Sequence, residues 1–318
     1  MNSIITGVAG QDGRYLASLL HEKGYDVFGI ASSEGTSGSA HGVTTNQVDI
    51  TEFDAISSVV KALQPDEIYH LAAKHGSSEQ VISNQFELFH QSYRVNVEST
   101  INLLEAICRY SRGTRLFLAS SSQIFGETRI KPQTEFTPKN PVNIYGVTKL
   151  IAGHLCDLYR RYQGLYVAIG ILFNHESPYR SDAFVSKKIA KGVVGILHGR
   201  TKKLALGNLS TEVDWGYAPD YVDAMYRVMQ LPKGEDFVIS TGEVHTVREF
   251  AKIAFEHVGL DWKKYVMEDA STLTSTALGN LVGDNSKLKA LTGWKPHHKF
   301  DEMVRALVDN ELDTGKTW

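Results

Sequence analysis

The sequence predicts an α/β protein: a doubly wound parallel sheet followed by a smaller C-terminal α/β lobe. Three observations lead there. Short apolar runs alternate with amphipathic stretches through the first half of the chain, as in strand–helix–strand units whose helices cover both faces of a parallel sheet. A glycine-rich turn, TGVAGQDG, falls at the first strand–helix junction. After Asn174 the alternation loses its regularity and shorter elements take over.

The first strand is NSIITGV (2–8). The helix after it, GRYLASLLHEKG (13–24), has apolar residues at helical spacing and a glycine stop. YDVFGI (25–30) reads as a strand, FDAISSVVKALQ (53–64) as a helix and DEIYHLAA (66–73) as a strand. The helix NVESTINLLEAICRY (96–110) leads to the strand TRLFLASS (114–121). A long helix, IYGVTKLIAGHLCDLYRRYQG (144–164), leads to YVAIGILFN (166–174). Beyond it, GNLSTEVDWG (207–216), a short strand DFVIST (236–241) and helices at 247–258 and 300–312 form a lobe expected to cover the cleft and hold substrate. The division is therefore 1–172 and 173–318, with some later segments returning to the first domain. The one low-complexity stretch, SSEGTSGS (32–39), reads as a surface loop.

Bulk properties narrow the class. The chain has 318 residues, 42% hydrophobic and 22% charged, which suits a well-packed core. A net charge of −3 gives no electrostatic reason to expect nucleic acid or an anionic membrane as partner. Cys108 and Cys156 lie in helical stretches without metal-ligand spacing and read as free thiols of a reducing compartment. The N-terminus enters a strand at once, without a signal peptide's charged and apolar regions, and no apolar run is long enough to cross a bilayer. A cytoplasmic protein is expected.

Gly7, Gly10 and Gly13 let the backbone turn tightly and approach a pyrophosphate at a helix N-terminus, which gives the sheet a Rossmann-type, dinucleotide-binding character. Gln11 and Asp12 share that turn. Asp49, with Ile50 beside it, either hydrogen-bonds an adenine amino group or caps the helix after it. Leu71, Ala72 and Ala73, at the end of a strand, either leave room for a cofactor's flat surfaces or serve plain sheet packing. The second strand ends in Ser32 and Ser33, where an NAD site often has an acid. Hydroxyls accommodate a 2′-phosphate that an acid would repel, so NADP is favoured over NAD.

YGVTK places Tyr145 and Lys149 four residues apart, on one face of a helix. Lysine's charge is expected to lower the phenol's pKa, so that the phenolate takes a sugar hydroxyl's proton while the adjacent carbon gives up hydride. Ser121, at a strand end, would hydrogen-bond the reacting oxygen, and Ser120 and Ser122 would satisfy backbone groups. Trp215 either walls the nucleotide site or packs in a core. Trp294 is expected to pack the smaller lobe, and His297 and His298 to be exposed. No metal site is expected.

The order of these motifs resembles the extended short-chain dehydrogenase/reductases. GILFNHESP (170–178), FVSKKI (184–189), GNL with DWGYAPDYVDAM (207–225) and VGDNSKLKALTGWKP (282–296) narrow the resemblance to the GDP-mannose 4,6-dehydratases, nearly end to end. The resemblance implies bound NADP, a nucleoside diphosphate-sugar substrate with a GDP-sugar favoured, and a homodimer or homotetramer paired through the helices near 96–110 and 145–162. It implies that His175 and Arg180 contact cofactor. Asn174, Val185, Lys188, Gly207 and Asn208 would lie against the nucleotide-sugar, with Ser121 and Gln123. It further implies C4 oxidation, loss of water across C5–C6 and return of hydride to C6.

The sequence departs from that pattern in three places. Gln123 stands where the family has its proton-transferring glutamate, and an amide neither gains nor loses a proton near neutral pH. Val213 stands where the family has an arginine before DWG, and 274–277 lacks the family's phosphate-binding arginine and ribose-binding glutamate. Three consequences stay open at Gln123: redox chemistry at C4 without dehydration, a dehydratase whose glutamate has been replaced, or proton transfer by His75, Glu79 or Glu127. Together the departures favour an altered substrate, such as another base or a GDP-manno-heptose.

Overall fold

The computed structural model describes residues 1–31, 43, 45–74, 84–269 and 281–314. Seven strands form one parallel sheet: β1 (Asn2–Thr6), β2 (Asp26–Ala31), β3 (Thr45–Gln47), β4 (Glu67–His70), β5 (Arg115–Ser121), β6 (Val167–Leu172) and a later strand, Asp236–Ile239. β1 lies between β2 and β4. The chain winds outward from β1 through β2 to β3, then crosses back to β4 and winds the other way. The switch point between β1 and β4 is where such sheets open a crevice at their carboxyl ends.

Successive strand residues point to opposite faces, and both faces are buried. Ile5, Tyr69 and Phe117 join one core with Leu16 and Leu20 of helix α1 (Gln11–Glu22). Ile4, Ile68 and Leu116 join another with Ile56 and Val60 of α2 (Phe53–Leu63), Leu103 and Ile107 of α4 (Ser99–Tyr110) and Cys156 of α5 (Ile144–Gln163). Between β4 and α4 the structure adds α3 (Gln85–Tyr93) and a π-helical turn at Arg94–Glu98, absent from the sequence expectation.

The later strands are β7 (Asn174–Glu176), β8 (Leu204–Leu206), β9 (Glu212–Val213), β10 (Trp215–Tyr217), β11 (the Asp236–Ile239 strand), β12 (His245–Thr246) and β13 (Val266–Glu268). The helices are α6 (Val185–Leu197), α7 (Ala218–Met229), α8 (Val247–His257), α9 (Trp262–Tyr265), α10 (Ser286–Thr292) and α11 (Phe300–Thr314). A separate core joins α6, α8 and α11 through Ile189, Val193, Phe250, Phe255, Val304 and Leu307. Trp215 belongs to it, with its ring centroid 5.3 Å from that of Phe250 and 5.8 Å from that of Phe300, and so is a core tryptophan. Trp294 does not pack there as expected. It is 1% exposed in the core of the large sheet, edge-on to Tyr221, and its Nε1 donates to the Asp220 carbonyl at 2.9 Å. Pairing an indole N–H is the condition for burying it, and α7 supplies the acceptor. His298 is exposed but not idle, because its Nδ1 lies 3.1 Å from buried Asp220. Cys108 and Cys156 are free thiols. Among the described residues no helix is long and apolar enough to cross a membrane.

Asp214 staples the two halves of this region. Its carboxylate accepts from the Thr241 N–H (2.9 Å), the Thr241 hydroxyl (2.6 Å), the Gly242 N–H (3.1 Å) and the Gly283 N–H (3.1 Å). Burial pushes its pKa up, and these donors pull against the rise. Asp214→Ala would strand several donors, each costing about 1–3 kcal/mol when buried unsatisfied. A urea titration should show a marked fall in stability, and Asp214→Asn a smaller one.

Candidate active site

The site is built at the carboxyl ends of β1, β4 and β5. Gly7 follows β1 at a φ of +75°, and its N–H donates to the Ile30 carbonyl at 2.8 Å. A Cβ on Gly7 would lie 2.8 Å from the Ala72 nitrogen, and one on Gly13 only 2.3 Å from the Gly7 carbonyl oxygen. Gly10 precedes α1 and donates to that same carbonyl at 2.9 Å. The first-turn N–H groups of a helix have no partner inside it, so this bare cradle fits a pyrophosphate. Across the crevice, the Leu71 N–H donates to the Thr6 carbonyl (3.2 Å) and the Ala72 N–H to the Thr6 hydroxyl (3.3 Å). Leu71 and Ala72 are half-buried and Ala73 is exposed.

Gln11 and Asp12 do more than share the turn. Gln11 Nε2 donates to the His175 carbonyl at 3.0 Å, and Gln11 Oε1 accepts from Ser177 Oγ at 2.9 Å. His175 Nε2 meets Asp12 Oδ2 at 2.9 Å, while its Nδ1 meets the Phe173 carbonyl at 2.7 Å. The His175 ring stacks on Tyr221 with centroids 4.4 Å apart. Burial opposes charge on both members of this pair, yet their mutual attraction prevails: Asp12 is held below the usual carboxylate range and His175 above the usual histidine range. Arg180 pairs with Glu176 (3.1 Å) and lies over the Phe184 ring (3.6 Å). Cofactor candidates far apart in sequence thus converge on one wall.

β5 delivers Ser121, a 3-10 turn follows at Ser122–Phe125, and α5 returns over it carrying Tyr145 and Lys149. The Tyr145 hydroxyl is hydrogen-bonded to Ser121. Lys149 is 1% exposed; its Nζ donates to the Ala119 carbonyl at 2.8 Å and sits 5.8 Å from the Tyr145 ring centroid. Burial pushes the phenol up to about 12, against the opposing pull of Arg180 and of the Ser121 hydrogen bond. The expected net lowering of the phenol does not appear: Arg180 and Ser121 oppose the rise without overcoming it, and Lys149 is not among the groups that do so. Burial also brings Lys149 itself down to about 8. Ser121 has a second task, accepting from the Gln123 N–H at 3.2 Å.

Asp49 does not cap α2, whose N-cap is Glu52 without a side-chain cap bond; its exposed carboxylate instead closes a local turn, accepting from the Thr51 N–H (2.9 Å) and hydroxyl (2.7 Å). Ile50 is buried, with its carbonyl bonded to Asn102. Asn174 is exposed on β7, Val185 opens α6 and Lys188 lies one turn on. Gly207 and Asn208 follow β8 in the second lobe, where Asn208 Oδ1 accepts from the Ser210 N–H at 2.8 Å. Val213 is half-buried and pairs with His245. Glu127 is exposed. Ser32, Ser33, His75, Glu79 and 274–277 lie outside the described residues. Among the described residues no group of three or more His, Cys, Asp or Glu could hold a metal ion.

The sequence reasoning missed Asn96. Buried in the π-helical turn, it accepts from the Lys74 N–H (2.9 Å) and donates to the Lys74 carbonyl (3.1 Å) and to Thr148 Oγ1 (3.0 Å). It fixes the chain after β4 against the catalytic helix. The available signal was a polar run, Asn96, Ser99 and Thr100, on a face that otherwise reads as core.

The fold aligns with solved structures over almost all of both chains. The Thermus thermophilus UDP-glucose 4-epimerase in complex with NAD matches with a TM-score of 0.85 at 24% identity, covering 98% of this chain and 99% of that one. The RMD protein of Pseudomonas aeruginosa complexed with NADPH matches with a TM-score of 0.80 at 20% identity, covering 98% and 99%. The sheet and glycine cradle thus share the Rossmann-type fold of these structures, with the Ser–Tyr–Lys group at the carboxyl ends of its strands. The GDP-mannose 4,6 dehydratase family model matches residues 4–307, and GDP-mannose 4,6 dehydratase 1 of Arabidopsis thaliana is 36% identical over 332 residues, covering 99% of this chain and 90% of the relative. The chain belongs to the GDP-mannose 4,6-dehydratase family.

The Asp12–His175 pair sets a pH window. The part of its stabilisation tied to Asp12 is present above the unfolded carboxylate pKa and lost as pH falls through the lowered folded value. The part tied to His175 is present below the unfolded histidine pKa and lost as pH rises through the raised folded value. Thermal melts across pH should show Asp12→Asn below wild type most clearly between these limits, with the difference narrowing outside them.

Proposed function

We propose that the chain binds a nicotinamide dinucleotide, with NADP favoured, and oxidises C4 of a nucleoside diphosphate-sugar, with GDP-mannose or a related GDP-sugar favoured and GDP-manno-heptose among the candidates. The observation that carries this reading is the Ser121–Tyr145–Lys149 group beside the glycine cradle. The dinucleotide, when bound, accepts and returns a hydride. The Tyr145 oxygen takes the proton of the C4 hydroxyl, Ser121 holds that oxygen, and Arg180 supplies positive charge that favours a phenolate. The crowded backbone at Gly7 and Gly13 supports the pyrophosphate's place. NADP over NAD rests on Ser32 and Ser33 of the sequence.

Gln123 favours a second reading, in which hydride leaves and returns at C4 without loss of water. Its amide has no proton to exchange near neutral pH, and exposed Glu127 makes a poor substitute inside the cleft. Incubation with GDP-mannose and GDP-manno-heptose, followed by mass spectrometry, separates the two: a product lighter by one water supports dehydration, while a 4-keto or epimerised product of retained oxygen count supports redox alone. No turnover of any nucleotide sugar would count against both. Tyr145→Phe should reduce C4 oxidation by about 10²–10⁴-fold. Gln123→Glu should raise the dehydration rate by a factor in that range if the scaffold is otherwise competent.

Assembly into a homodimer or homotetramer and a cytoplasmic location belong to the same reading. Leu158 and Tyr162 of α5, and Phe86 and Phe89 of the adjacent α3, are exposed apolar side chains that a second copy would cover. Light scattering of wild type against Tyr162→Asp with Phe86→Asp should show the variant shifted to the monomer.

A further inference from the structure

Asn143 occupies the N-cap of α5, and the Gly146 N–H donates to its Oδ1 at 2.8 Å. A backbone N–H can only donate, so the carbonyl end of this amide is committed to the helix. The amine end is thereby turned to Gln123, where Asn143 Nδ2 donates to Oε1 at 2.8 Å. The same logic passes one residue on. Gln123 presents its oxygen to Asn143 and its Nε2 in the other direction, where it has no hydrogen-bond partner among the described residues. The side chain is half-buried, and its backbone is held on both sides, by Ser121 Oγ and by the close approach of Gly146.

We propose that Asn143 is a positioning residue that fixes Gln123 as a hydrogen-bond donor to the sugar, at an oxygen beside the carbon that Tyr145 oxidises. The identity of that ligand rests on the C4-oxidation reading. An amide NH₂ donates and neither accepts nor releases a proton. The oxygen it holds is kept in place as an acceptor rather than protonated to depart, so the site retains a substituent where a carboxylic acid would expel it.

Asn143→Asp tests this directly. Aspartate caps a helix as well as asparagine and keeps the Gly146 bond, but it offers Gln123 an acceptor, so the Gln123 amide must turn end for end. Asn143→Ser keeps a cap and removes the orienting donor. Side-chain amide hydrogen exchange, followed by NMR on the protein alone, should show Asn143 protected and Gln123 unprotected in wild type, with Gln123 becoming protected in Asn143→Asp. Calorimetric titration with GDP-mannose should show about tenfold weaker binding for Asn143→Asp and about threefold for Asn143→Ser. Binding of GDP and the thermal midpoint should stay at wild-type values. Equal GDP-mannose affinity in wild type and Asn143→Asp, or an unprotected Asn143 amide in wild type, overturns the proposal. If wild type binds neither GDP-mannose nor GDP, the GDP-sugar part of the C4-oxidation reading fails instead, and the exchange pattern alone decides the positioning role.

Discussion

The active site depends on one close approach, the first turn of α5 against the turn that ends β5. A Cβ on Gly146 would lie 2.6 Å from the Gln123 carbonyl oxygen, so only a glycine lets the helix settle there. That contact brings Tyr145 to Ser121, sinks Lys149 onto the Ala119 carbonyl and places Asn143 beside Gln123. Buried lysine survives because a backbone acceptor meets it, and its own pKa falls as the cost of desolvation. Asn96 locks the helix from the other side through Thr148.

A second constraint ties the cofactor cradle to the later chain. Gln11 and Asp12 reach 163 or more residues along the sequence to the His175–Ser177 segment. The glycine turn therefore cannot shift without moving β7, and β7 in turn pairs with β10. Asp214, next to β10, carries the tie on to Thr241 and Gly283. The glycine turn is thus coupled to the later chain by several hydrogen bonds, those of Asp12 and Asp214 bearing charge.

The departures from the family acquire different meanings in three dimensions. Val213 sits in a short antiparallel pair with His245, a position that apolar packing already explains. Gln123 is different, because its side-chain oxygen is engaged by a donor at the N-cap of α5. Asn143 commits its oxygen to the helix and its amine to Gln123, so both ends of its amide are in use.

Local pattern alone determined the strand–helix alternation, the glycine turn, the Tyr145–Lys149 spacing and the Ser121 strand end, since each depends on short-range periodicity or on backbone freedom at a glycine. Strand order, the switch point and the convergence of Asp12 with His175 needed the tertiary structure, because they join residues whose sequence neighbours say nothing of one another. The same holds for Trp294, whose indole went to the large sheet because α7 holds the acceptor, and for Asp49, whose carboxylate found Thr51 first. The charge that acts on Tyr145 is the clearest case. Helical spacing pointed to Lys149, but burial and the Ala119 carbonyl engage that amine, and the guanidinium of Arg180 arrives from a distant loop. Periodicity tells which side chains share a face; only the packed fold decides which charges face each other.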